Sequence, residues 1–475
     1  MSTLNVKQRG LVLFILVMLL AGCSFGSAAP QKEAESGAEA EVVIEADTAL
    51  AGEPAAPAEL VAADEARSET ITLAATPSPA VESPAPAMMA TVIMREGEAE
   101  IATSGETTAS TIAVPQQTNP LRAGEVDDNA QWDDYLLYRR NYQGLPVYDR
   151  DVSERYVIEV KDGQGHPVLG ATVRVLANGQ DIYEARTYAN GQVLFHPLAL
   201  NLPLEQVDRF QVEVEKDNLS EEFTLSRIHS QVSTSLSERW TVTLDTRTQA
   251  DRLNLDVLFL VDATGSMADE IAKIQGTIFD VSARIDSLPG QPEVRYGMVT
   301  YRDRGDAFVT QTYEFTPDVR EFSQKLSGVY ADGGGDTPES LNEALHEAVN
   351  GVEWRGGETV QLIFLVADAP PHLDYPQDYD YAVEMDNAAR RGIKIFPIAS
   401  SGLDDQGEYV FRQLAQYTQG RFIFLTYASP TNGGAPGDET THHVDDYSVE
   451  KLDDLLVRLV QEELAYQNPR LVQAQ

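Results

Sequence analysis

The chain of 475 residues carries 75 Asp and Glu against 35 Lys and Arg, a formal net charge of −40. The length corresponds to two or three domains, and the charge argues against nucleic acid as a partner, because a phosphate backbone is held by Lys and Arg that displace its counterions. The single cysteine, Cys23, excludes an internal disulfide, and the acidic surface suits both solubility and the attraction of cations.

Lys7 and Arg9 precede an apolar run over 11–20, and Leu20-Ala21-Gly22-Cys23 follows. A basic start, a short apolar stretch and small residues before a cut site make a secretory signal over 1–22. The run is too short for an ordinary membrane span. The four residues ending in Cys23 resemble a bacterial lipobox. That resemblance implies lipid on the sulfur and amine of Cys23, and a protein anchored to the cell membrane or outer membrane, facing outside the cytoplasm. Each acyl CH₂ buried in the membrane contributes about 0.8 kcal/mol to such an anchor. The plain alternative is a cleaved signal with an incidental cysteine.

Residues 23–130 are rich in Ala, Glu, Pro, Ser and Thr, as in "EPAAPAELVAADEARSET". They show no sustained period and few aromatics, too little apolar area to offset the entropy of ordering, so a disordered acidic tether is expected. From 131 to 250 short alternating stretches appear: "RYVIEVKD", "ATVRVLANG", "RFQVEVEKD" and "RWTVTLDTR" read as strands separated by Gly-, Asp- and Asn-rich turns. They predict a small antiparallel β-sandwich. "DGQGHPVLGATVRVL" with "TYANGQVLFHPL" resembles the carboxypeptidase-regulatory-like sandwich family, which implies a structural or adhesive module with no catalytic residues to carry over.

Over 251–430 continuous apolar runs alternate with amphipathic ones. "LDVLFLV" and "TVQLIFLVAD" read as buried parallel strands, and "IKIFPIAS" and "RFIFLTY" as further strands. Ile271, Ile274, Ile278, Val281 and Ile285 recur at helical spacing. "EVRYGMVTYRD" and "AFVTQTYEF" flank "RDRGD" as a hairpin, and "PESLNEALHEAVNGV" reads as a helix with Pro338 in its first turn. The pattern predicts an α/β fold, an open and mostly parallel sheet flanked by helices. Residues 431–475 read as a loop and an amphipathic helix whose Leu452, Leu455, Leu456, Leu459 and Val460 share one face.

Ligands of open α/β sheets bind beyond the carboxyl ends of the strands. Three loops converge there: the first offers Asp262, Thr264 and Ser266, "DGGGDTPES" offers Asp336 and Thr337, and the third offers Asp368. All are oxygen donors with few carboxylates, a set that suits Mg²⁺, with Mn²⁺ or Ca²⁺ as alternatives, and argues against zinc. Because the hydroxyls are neutral, the cation keeps net positive charge and can take an anionic ligand from outside.

The 253–427 region resembles a von Willebrand factor A domain, and the three loops resemble its metal-ion-dependent adhesion site. Asp262, Thr264 and Ser266 match the first element, with Thr264 where Ser is usual, and Asp368 matches the third. The resemblance implies that Ser266, Thr264 and the second-loop threonine bind metal directly, that Asp262 and Asp368 act through water, and that an Asp or Glu of a protein partner completes the shell. In the second loop either Asp336 or Thr337 can take the threonine position.

No Gly-x-Ser-x-Gly elbow, no His-Glu-x-x-His helix and no phosphate loop ending in Gly-Lys-Ser/Thr is present, so no enzyme is expected. A dehalogenase-type phosphatase would need an acid where Thr264 stands. Arg304-Gly305-Asp306 reads as a solvated turn. The 370–381 stretch, "PPHLDYPQDYDY", is either the rim of a recognition surface or a solvated helix entry. His442, His443, Asp445 and Asp446 form a weaker candidate for a second cation. The reading is therefore a lipid-anchored envelope protein that binds a protein partner through a divalent cation. The alternative is a regulatory or assembly subunit that uses the same domain as a scaffold.

Overall fold

The computed structural model describes residues 120–200, 207–228, 236–246, 252–288, 291–335, 337–429 and 435–468. The signal segment with Cys23, the tether as far as residue 119, and Asp336 lie outside the described residues.

The last residues of the stretch expected to be tether, 120–130, are folded. Strand β1 (Arg122–Val126) and helix α1 (Trp132–Asn141) belong to the α/β domain. β1 pairs antiparallel with a strand three hundred residues downstream, Val126 opposite Phe422. Trp132, Tyr135, Leu136 and Tyr138 of α1 are buried in that domain's core. This short segment is ordered because it adds backbone hydrogen bonds to a sheet edge and leads into four large buried side chains.

The sandwich occupies β2 (Glu154–Asp162), β3 (Thr172–Ala177), β4 (Gln180–Arg186), β5 (Gln192–Phe195), β6 (Arg209–Lys216), β7 (Leu219–Ser226) and β8 (Leu236–Leu244). Its sheets are β5-β2-β8 and β4-β3-β6-β7. Alternation places Tyr156, Ile158 and Val160 inward against Val173, Val175, Phe210, Val212 and Val214. The expected antiparallel arrangement holds for all pairs but one. β8 runs parallel to β2, Glu154 opposite Leu236, because the chain leaves β7 in one sheet and enters β8 in the other.

The α/β domain continues with β9 (Asn254–Asp262), α2 (Ile271–Asp286), β10 (Glu293–Tyr301), β11 (Thr310–Thr316), α3 (Val319–Leu326), α4 (Leu341–His346), β12 (Thr359–Ala367), α5 (Tyr381–Arg391), β13 (Ile393–Ala399), α6 (Asp405–Tyr417), β14 (Phe422–Thr426), β15 (Val449–Lys451) and α7 (Leu452–Gln467). The sheet order is β11-β10-β9-β12-β13-β14-β1-β15. The five strands from β10 to β14 in this order are parallel, and the edge strands β11, β1 and β15 are antiparallel. This is the expected mostly parallel sheet. Leu255, Val257, Phe259 and Val261 of β9 face one core, with α2, α3 and α7, while Leu258 and Leu260 face the other, with α1, α4, α5 and α6. Each such side chain contributes roughly 1.5–3 kcal/mol when fully buried.

The five isoleucine and valine positions of α2 are all buried, and the leucine face of α7 packs into the same core. Pro338 is not in the first turn of α4. That helix begins at Leu341, after Ser340, because Glu339 is tied by backbone hydrogen bonds to Pro370 and His372. The sandwich is docked on the α/β domain: Asn190 donates to Gln419 at 3.0 Å, and Gln467 to the carbonyl of Ala189 at 2.6 Å.

Candidate functional site

β9 ends at Asp262, and a turn over Gly265–Asp269 leads from it into α2. Parallel register sets Asp262 beside Tyr301, the last residue of β10. The second loop closes on the first: Gly265 N–H donates to Gly333 C=O at 3.0 Å, an approach so close that a Cβ on Gly265 would stand 2.8 Å from that oxygen. Gly333 and Gly334 take left-handed backbone, φ 76° and 64°, which costs a residue with a Cβ more than glycine.

Four of the six residues expected at the site come together. Thr264 donates its N–H and its hydroxyl to Asp262 Oδ1, at 2.9 and 2.6 Å. Thr264 Oγ1 lies 3.1 Å from Ser266 Oγ, which donates to Asp368 Oδ1 at 3.1 Å. Asp262 is fully buried, and its Oδ2 and the Tyr301 hydroxyl face each other without a hydrogen bond of good geometry. Burial first, and then the charge of Asp368, push Asp262 up to about 7 against the opposing hydrogen bonds from Thr264. Burial likewise pushes Asp368 up to about 6, with Glu270 adding to it and Ser266 opposing it. Thr337 is exposed and hydrogen-bonds to none of these four, and Asp336 is outside the described residues, so the choice between them stays open.

Three further residues build the site. Glu339 is buried with Oε2 unpartnered, and burial, then Asp262, Asp303 and the neighbouring acids push it up to about 9. Arg302, also buried, donates to Ala263 C=O at 3.1 Å and to Tyr330 C=O at 2.9 Å, so it ties the first loop to the second. Asp306 accepts from Gly334 N–H at 2.8 Å and from Asp303 N–H at 3.1 Å. The Arg-Gly-Asp tripeptide is thus no free turn: its Asp clamps the second loop, and its Arg pairs with Glu343 and Asp378. None of the three announces itself in sequence, because each matters through a neighbour far along the chain.

The 370–381 stretch folds over that hairpin. His372 stacks on Tyr375 at 4.0 Å, Arg304 sits 4.4 Å over the Tyr375 ring, and Tyr379 is exposed while stacked on His346. His442 and His443 instead lie against the buried Glu408, at 3.1 and 3.3 Å, and Glu408 also pairs with Arg412.

The donor set fits a hard divalent cation in two respects: it is all oxygen, and a buried carboxylate oxygen lacks a partner. Among the described residues no three His, Cys, Asp or Glu side chains form a group able to hold a metal by themselves. The hydroxyls of Thr264 and Ser266 would have to share the work with Asp262 and Asp368.

An α/β domain that gathers oxygen donors from its first and third loops beyond its strand ends is the class of domain defined here. Residues 256–429 match the von Willebrand factor type A domain, and this stretch of the chain is such a domain. An alpha-protein kinase of Dictyostelium discoideum, vwkA, is 29% identical over 119 residues, 25% of this chain and 19% of the kinase. The putative ariadne-like RING finger protein R811 of Acanthamoeba polyphaga mimivirus is 23% identical over 187 residues, 36% of this chain and 18% of that protein. The chain therefore spans less than a fifth of either relative. Proximal thread matrix protein 1 of the mussel byssus aligns with a TM-score of 0.32 and 14% identity, over 46% of this chain and 47% of that one. The domain supports a protein-interaction or scaffold role.

Proposed function

We propose that the domain is a non-catalytic recognition module that binds a protein partner through a divalent cation held at Asp262, Thr264, Ser266 and Asp368. The observation that carries this reading is the unpaired Oδ2 of Asp262 in the interior, beside two hydroxyls and a second buried carboxylate. A buried carboxylate with no ion-pair partner and one oxygen unsatisfied is costly, and a cation offsets that cost. Mg²⁺, with Mn²⁺ or Ca²⁺ as alternatives, would keep positive charge here and accept an Asp or Glu oxygen of the partner. The chain's own residues orient the donors: Arg302 and Asp306 hold the loops together, and exposed Tyr330 and Tyr379 offer aromatic contact area nearby.

Calorimetric titration of Mg²⁺ and Ca²⁺ into the full chain, beside Asp262→Ala, tests this. Saturable binding lost in the variant is expected; equal heats in both would remove the cation from the function. In the same proposal Cys23 carries lipid that anchors the protein to a membrane, outside the cytoplasm. Cys23→Ser should then move the protein from the membrane to the soluble fraction. Among the described residues no helix is long and apolar enough to cross a membrane.

The docking of the sandwich by Asn190, Gln467 and Arg155 favours a second reading, a scaffold in an envelope assembly. A stoichiometric partner that co-purifies in EDTA would favour the scaffold over cation-dependent adhesion.

A further inference from the structure

At the seam between sandwich and α/β domain lies a cavity of about 410 Å³. Strand alternation builds its floor. While Tyr156, Ile158 and Val160 point into the sandwich core, Arg155, Val157, Glu159 and Lys161 point out into the cavity, and register sets Arg239 of β8 opposite Val157. Lys394 of β13, Arg421 and the C-terminal half of α7 form the facing wall. In a chain with 75 acidic and 35 basic residues, this cavity reverses the balance: five lining residues are Lys or Arg and four are Asp or Glu.

Four of the five cations are already paired. Lys161 and Arg239 share Glu159, at 2.8 and 3.4 Å; Lys394 holds Glu463 at 2.5 Å; Arg421 holds Glu462 at 2.7 Å. Among the described residues Arg155 hydrogen-bonds to no carboxylate. Its Nε donates to Ser237 Oγ at 2.9 Å, its Nη1 reaches the backbone and side-chain oxygens of Asn129 at 3.2 and 3.3 Å, and its guanidinium lies 3.8 Å over the ring of Trp132. Only 8% of Arg155 is exposed, and its Nη2 donates to no group among the described residues. Burial and the nearby charge of Arg239 push its guanidinium down to about 10, against the opposing charges of Asp127 and Asp133. A buried Arg whose Nη2 is free of hydrogen bonds is suited to pair with an oxyanion oxygen. The amides of Asn190, Gln192 and Gln419 line the same cavity and can hydrogen-bond the remainder of a polar molecule.

We propose that this interdomain cavity binds a small polar molecule bearing an oxyanion, carboxylate or phosphate, whose oxygens pair with Arg155 and with the Arg239 rim. The site is separate from the Asp262 loops, and its failure would leave the cation reading untouched.

The test uses the full chain with Trp240 and Trp354 replaced by Phe, so that Trp132, in contact with Arg155, is the sole tryptophan. Emission is followed during titration with succinate and, separately, inorganic phosphate, at constant ionic strength against chloride and in EDTA, so that no cation at Asp262 can capture the anion. A saturable change with a Kd below about 1 mM for one anion is expected, and the responding anion names the ligand chemistry. Arg155→Gln should weaken binding by roughly tenfold or more, the loss of a charge-assisted hydrogen bond. Should that variant not fold, Arg239→Gln, on a side chain 55% exposed, should weaken it severalfold. No saturable response to either anion, or the same Kd in wild type and the folded variant, would overturn the proposal.

Discussion

Asp256 and Asp262 stand on the same strand, six positions apart, and both are fully buried. At one end of β9, Asp256 accepts from Arg295 Nε and Nη2 at 3.0 and 2.7 Å, and from Arg355 N–H and Nε at 2.9 and 2.8 Å. At the other end, Asp262 accepts from Thr264 on one oxygen, while its second oxygen faces the Tyr301 hydroxyl without a hydrogen bond of good geometry and another carboxylate stands beside it. The same residue at the same burial holds the domain together in one place and is left under-satisfied in the other. Burial alone therefore does not tell a structural acid from a functional one; the inventory of donors does.

Breaking Asp256 gives the sharpest contrast. Asp256→Asn should cost about 3 kcal/mol or more, because two arginines lose their charge partner, whereas Asp262→Asn in EDTA should leave the urea midpoint at or above that of wild type. Equal losses at both sites would erase the distinction. Next in size is the cation: at a hundredfold excess over its Kd, Mg²⁺ should stabilise wild type by about 2.7 kcal/mol and Asp262→Asn not at all.

A third prediction concerns pH. His196 is buried between Trp132, at 6.1 Å, and Tyr417, at 5.5 Å, and burial pushes it down to about 3. The unfolded chain takes up its proton near pH 6.5, while the folded chain refuses it until about 3. Below 6.5 the unfolded state thus binds more protons, and stability should fall by about 1.4 kcal/mol per pH unit through that window from this group. His196→Gln should flatten that slope in urea melts at stepped pH; an unchanged slope would count against it. The smallest effect is expected at Arg304→Ala, which loses a half-exposed pair with Glu343 and should cost under about 1 kcal/mol, with Mg²⁺ affinity retained. Asp306→Ala, by contrast, releases Gly334 and should weaken Mg²⁺ roughly tenfold.

Much of this was legible along the chain. Period-two runs marked the sandwich strands, continuous apolar runs marked β9 and β12, five residues at helical spacing marked α2, and a strand running into Asp262-x-Thr264-x-Ser266 marked the site. Those signals are local: periodicity reports which face is buried, and the donor types report which ligand suits them. The misassigned pieces were those whose meaning lies elsewhere. Residues 122–126 carry no strong pattern and become a strand because β14 presents an edge. β8 looked like one more antiparallel strand and is parallel because of the sheet it crosses to. Pro338 looked like a helix start and precedes it, because backbone bonds to Pro370 and His372 hold the loop extended.

By itself, then, the sequence determined the segments, their α/β alternation and the oxygen donors on the first and third loops, since each follows from residues within a few positions of one another. Only the tertiary structure decided that Tyr301 faces Asp262, that Glu339 is buried near the same acids, that Asp306 clamps Gly334, and that Arg155 lines a cavity with its Nη2 free of hydrogen bonds among the described residues. These depend on register and burial between segments tens to hundreds of residues apart, and no local pattern encodes which distant partner will supply, or withhold, the compensating charge.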